Sequence, residues 1–132
     1  MSRAAQTIQE APESSVRPGP GLLGLAMMLH GLVHLMGVML LLRLEEPGDL
    51  TYEMASPEPG TTLGVVFAGL WLMACVLFVA AGWTVIRGHA SARLVATASV
   101  VSLIAIAPMA ATAPAGILLS AVFLVGAVVR RR

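Results

Sequence analysis

Two uncharged runs, Leu22–Leu42 and Thr62–Ile86, constrain this chain more than any other feature. Over 21 and 25 residues they contain no Asp, Glu, Lys or Arg. At ~1.5 Å per residue the first would measure roughly 32 Å as a helix, matching the ~30 Å hydrocarbon core of a bilayer. Composition agrees: 58% of residues are hydrophobic and 11% charged, against about 25% charged in a soluble domain. A water-soluble fold of 132 residues could not hide that much apolar surface. Soluble and largely disordered readings are excluded, and the expected solvent is lipid.

The first 20 residues differ. They hold two Arg, two Glu and three Pro, with no apolar run. Such a segment cannot bury enough apolar surface to offset its ordering entropy, so residues 1–20 are expected to be a disordered tail. The tail lacks the layout of a cleaved signal peptide.

A third apolar stretch, residues 92–129, has its one charge, Arg93, at its start. As one helix it would run roughly 57 Å, nearly twice the core thickness. Pro108 and Pro114 offer the break. The result is four spans, at about 22–42, 62–86, 92–109 and 113–129, within one transmembrane domain over 21–132. Thr61 or Thr62 and Ser91 are expected N-caps, and Gly88 suits the position just past a helix end.

Charge sidedness tests the count. With four spans, the tail, the Arg87–Arg93 turn and the C-terminus share one side, which carries seven Arg and two Glu. The other side carries Arg43 and the acids Glu45, Glu46, Asp49, Glu53 and Glu58. The resulting +5 against −4 sums to the formal charge of +1. The positive-inside rule then places both termini in the cytoplasm. The fold class expected is all-α: an integral membrane four-helix bundle. All eight basic residues are Arg, a bias of GC-rich bacterial genomes. The expected location is therefore a bacterial inner membrane, crossed several times.

His30 and His34 are the residues that could carry chemistry. Spaced i, i+4, they project from one face of the first span near its midpoint. An ionisable residue at that depth is a functional hypothesis by default. Three readings stand: neutral rings bonding across helices as packing glue, ligands to a metal or haem, or proton handling. Cys75 lies at similar depth in the second span, so His30, His34 and Cys75 form a candidate metal set resembling a copper or zinc shell. A lone helical Cys is more often a small hydrophobe. Ser99, Ser102 and Ser120 fall in the same layer and could satisfy the histidines without a ligand. Rows of small residues, Gly60-Gly64-Ala68 and Ala98-Ser102, together with Gly24, Gly31 and Gly37, permit close helix approach within the bundle or between copies. Trp71 lies on the Cys75 face.

The run HGLVHLMGV at 30–38, the acidic loop and the run LWLMACVLFVAAG at 70–82 resemble a group of small four-helix membrane proteins common in actinobacteria. In size and helix number the chain is also loosely similar to DoxX-like proteins. The first resemblance implies a fold and no catalytic residues. The second implies association with respiratory or redox complexes. No P-loop, G-x-S-x-G or H-E-x-x-H motif is present, and no acid lies within a span.

The function expected is that of a non-enzymatic accessory or self-assembling subunit of a membrane complex, with no cofactor. The alternative is a haem- or transition-metal-binding redox protein using His30 and His34. Expected partners are the lipid bilayer and a homo-oligomer or larger complex, with no nucleic acid.

Overall fold

Proline and glycine punctuation sets where each helix begins and ends. In the computed structural model the described residues are 19–130; residues 1–18 of the expected tail and residues 131–132 lie outside them, while Gly19 and Pro20, counted in that tail, cap and open the first helix instead. The described chain is all-helical, with α1 Pro20–Leu41, α2 Thr62–Ile86, α3 Ala92–Ile106 and α4 Pro114–Val129.

α1 begins two residues earlier than the apolar run, because Pro20 occupies its first turn after Gly19; the ring presets a helical φ and lacks only an N–H that would go unpaired there. α2 is capped by Thr61, whose Oγ1 accepts from Gly64 N at 3.1 Å. α3 is capped by Ser91, whose Oγ accepts from Leu94 N at 3.3 Å. α-Helical geometry stops at Ile106. Pro108 removes a backbone donor, and the chain tightens into a 3-10 turn over Ala107–Met109. Pro114 then opens α4. Residues 92–129 are thus two helices, as the prolines require.

Two helix ends close in the same way. Past α2, His89 N donates to Thr84 O at 2.8 Å and Gly88 N to Val85 O at 3.1 Å, with Gly88 at φ +75°. This is a Schellman motif with glycine in the left-handed position. Past α1, Leu44 N donates to Met39 O at 2.9 Å and Arg43 N to Leu40 O at 3.1 Å. Here the left-handed residue is Arg43, at φ 55°. Its side chain compensates: Nε donates to Pro59 O at 3.1 Å, and the guanidinium lies 5.8 Å from the Tyr52 ring centre. Tyr52 N in turn donates to Glu46 Oε1 at 2.7 Å. The acidic loop is therefore folded around Arg43.

The helices run up, down, up, down. Gly24 of α1 meets Gly82 and Ile86 of α2, Gly31 meets Phe78 and Cys75, and Gly37 meets the Trp71 indole. A Cβ built on Gly24 would lie 2.6 Å from the Gly82 carbonyl oxygen, so backbone packs on backbone there. Gly64 and Ala68 are also buried, as are Ala98 and Ser102. Of the small-residue rows, Gly64, Ala68, Ala98 and Ser102 are spent on packing within this chain, whereas Gly60 is exposed in the loop at φ +79°.

One core cluster gathers Leu40, Leu41, Trp71, Ile106 and Met109 at the acidic-loop end; another gathers Met27, Phe78, Ala81, Val85 and Ala98 toward the other end. Large apolar side chains also cover the outside: Leu25, Leu32 and Val33 of α1, Val66 and Val76 of α2, and Leu118, Val122 and Val125 of α4 are all exposed. By length and composition α1, α2 and the segment Ala92–Met109 are long and apolar enough to cross a membrane. α4, at 16 residues, is shorter.

Candidate functional site

The site grows from one turn of α1. His30 and His34, four residues apart, stand on the same face with ring centres 4.9 Å apart and planes nearly perpendicular. That face points into the bundle: His34 is 1% exposed and His30 6%. Apolar surroundings hold both rings. Phe78 lies 4.8 Å from His30 edge to face, Phe123 lies 5.7 Å from His30, and Trp71 lies 5.3 Å from His34.

Across the bundle, α3 and α4 each supply one hydroxyl. His34 Nε2 lies 2.8 Å from Ser102 Oγ, His30 Nε2 lies 3.0 Å from Ser120 Oγ, and the two serine oxygens lie 2.7 Å apart. His34 Nδ1 lies 2.9 Å from the His30 carbonyl oxygen, one turn back. Four buried polar side chains from three helices thus close on one another.

The direction of each bond is set by donor and acceptor capacity. A carbonyl oxygen only accepts, so His34 Nδ1 donates to His30 O. In a neutral ring Nε2 must then accept, so Ser102 donates its hydroxyl proton to His34. Ser102 has one proton, so Ser120 donates to Ser102. Ser120 has likewise spent its own, so His30 Nε2 donates to Ser120. One tautomer of each histidine satisfies the set, and each hydroxyl both gives and receives once. The unused polar atom is His30 Nδ1, for which no described residue supplies a hydrogen bond.

Ser99 does not join the cluster. Its Oγ donates to Val95 O at 2.9 Å on its own helix, a common way for a helical serine to satisfy itself. Cys75 does not join it either. Its side chain is buried, and it borders a shallow apolar groove with Met28, Val76, Val79, Ala80 and Trp83. Among the described residues no three His, Cys, Asp or Glu side chains group as a metal shell. The expected His30–His34–Cys75 set is therefore not assembled, because Cys75 has a separate setting on α2 and both imidazole Nε2 atoms face serine. A metal or haem on both histidines would have to break a hydrogen bond of His34, whose two ring nitrogens are both engaged, and would find no third His, Cys, Asp or Glu ligand among the described residues.

Trp71 adds a feature the sequence did not signal. Its indole packs on Gly37 and is 6% exposed, yet Nε1 has no hydrogen-bond partner among the described residues.

Comparison with family models, with curated proteins and with solved structures finds no match to this chain.

Proposed function

We propose that this chain is a small multi-pass membrane protein that acts as a non-catalytic accessory or self-assembling subunit in a bacterial inner membrane. One observation carries this reading: large apolar side chains cover the outside of the molecule, while a small polar cluster is shut inside and bonded to itself. His30, His34, Ser102 and Ser120 are buried and bonded to each other, while large aliphatic side chains line the outer faces of all four helices. Soluble proteins rarely expose contiguous apolar surface on that scale. In lipid the same surface is solvated, and interhelical hydrogen bonds tie the helices together.

Charge supports four spans and two cytoplasmic termini. The end where α1 starts and α4 stops carries Arg87, Arg93 and Arg130, and no acid occurs after Glu58 in the chain. The opposite end carries the acidic loop around Arg43. As a span α4 is short, roughly 24 Å, and Arg130 at its end can snorkel to the interface. The cluster supports a structural role for the histidines, since every polar atom but one is already satisfied.

Reporter fusions test the topology. A reporter after Arg132 should be active on the cytoplasmic side, and one within 48–58 on the outer side. A C-terminal reporter active only outside the cell would overturn the four-span reading. An absorption spectrum and metal analysis of the purified protein test the role. A stoichiometric metal or a Soret band would replace it with a redox function on His30 and His34.

A further inference from the structure

At the arginine-bearing end, α1, α3 and α4 do not close against one another. They leave a cavity of about 550 Å³ lined by Leu23 and Met27 of α1, Val95 of α3 and Phe123 and Ala127 of α4, with Arg130 on its wall. Its size falls within the range of ligand pockets, about 300–1,000 Å³. From Arg130 to Phe123 it extends seven residues along α4, roughly 10 Å of helix rise. The Phe123 ring, on its wall, is the one that lies 5.7 Å from the His30 ring. The cavity is thus apolar over most of its wall and cationic at one end.

We propose that this cavity holds an acyl chain of an anionic phospholipid, with the headgroup phosphate paired to Arg130. Chain and wall match in character, since apart from Ser91 and Arg130 at the arginine-bearing end the lining side chains are apolar and offer nothing to a polar guest. Charge selects the headgroup. Arg130 belongs to the cavity wall, Arg87 and Arg93 lie at the same end, and no Asp or Glu occurs after Glu58. A guanidinium is a strong partner for phosphate oxygens. The inference rests on the proposed membrane reading, since a phospholipid is the occupant.

The experiment uses the full chain in mild detergent, after carbonate extraction has established that it is membrane-integral. Failure of that extraction test would remove the membrane reading itself, independently of any result on lipid binding. Phosphatidylglycerol and phosphatidylcholine with identical chains are then added, and retained lipid is counted by native mass spectrometry. Phosphatidylglycerol should be retained in preference, one per chain. Arg130→Gln should weaken its retention about fivefold, the order expected for one basic residue near an anionic headgroup, and leave phosphatidylcholine unchanged.

Gly126→Leu gives a second variant that should fold. Gly126 lines the cavity, and a Cβ there would meet no heavy atom within 4 Å. The leucine should occupy part of the space next to Arg130 and weaken retention of the one bound lipid. Gly69→Leu is the control, because Gly69 also faces open space but lies away from the cavity on α2. It should retain lipid like the parent. Equal retention of the two lipids, or retention indifferent to both Arg130→Gln and Gly126→Leu, would overturn the proposal while leaving the membrane reading in place.

Discussion

Ser102 Oγ lies 2.7 Å from Ser120 Oγ where α3 meets α4, and each hydroxyl also bonds one histidine of α1. The contact makes the two serines energetically dependent. Either Ser→Ala change breaks two hydrogen bonds, and the double change breaks three. At about 0.6 kcal/mol for an average intramembrane bond, each single variant should lose about 1 kcal/mol. The double variant should lose less than the sum of the singles, because the shared bond is lost only once. Unfolding of the three variants in detergent measures the coupling. Strictly additive losses would mean the serines do not touch in the membrane.

The α1–α2 seam makes a second, sharper prediction. Gly24→Ala and Gly82→Ala each place a methyl against backbone of the facing helix, an overpacking that costs about 1–3 kcal/mol. Gly69→Ala meets nothing within 4 Å and should be neutral or stabilising by up to about 1 kcal/mol through helix propensity. Melting temperatures of the three variants should separate in that order. Equal effects would show that the helices are farther apart than the structure places them.

The buried indole N–H of Trp71, without a hydrogen-bond partner among the described residues, carries a cost of about 1–3 kcal/mol. Trp71→Phe removes that cost and keeps a ring against Gly37, so stability should stay within about 1 kcal/mol of the parent. Trp71→Ala empties the site and should cost about 3–5 kcal/mol. A loss for Trp71→Phe as large as for Trp71→Ala would mean the N–H has a partner in the membrane.

Arg43 occupies a left-handed position usually given to glycine. Arg43→Ala keeps the backbone strain and loses the bond to Pro59 O, so it should destabilise the loop most. Arg43→Gly relieves about 1 kcal/mol of that strain and should fall between the parent and Arg43→Ala. Hydrogen exchange across residues 44–60 should report this order, and a reversed order would show that the side chain does not anchor the loop.

Much of the fold was legible because it depends on local rules. Pro108 and Pro114 break the long apolar stretch whatever packs around them. Gly88, Thr61 and Ser91 bound helices by backbone geometry and hydrogen-bonding capacity alone. Arg43 was not legible in its role, because the chain carries a left-handed arginine only when Pro59 and Tyr52 lie beside it. Cys75 was misleading for a related reason. Depth along a helix is set by residue number, but which side chains converge depends on helix rotation and on what each neighbour bonds.

The sequence by itself determined the helices, their number, their ends to within about three residues and the segregation of arginine from acid, since hydropathy and turn chemistry act over a few neighbouring residues. It also placed His30 and His34 on one face, because 3.6 residues per turn allows nothing else. Only the tertiary structure decided that Ser102 and Ser120 meet those histidines while Ser99 turns back to Val95, that Gly24, Gly31 and Gly37 are spent against α2, and that a cavity remains beneath Arg130. These depend on how each helix is rotated about its axis. That rotation is settled by side chains far apart in the chain meeting across the bundle.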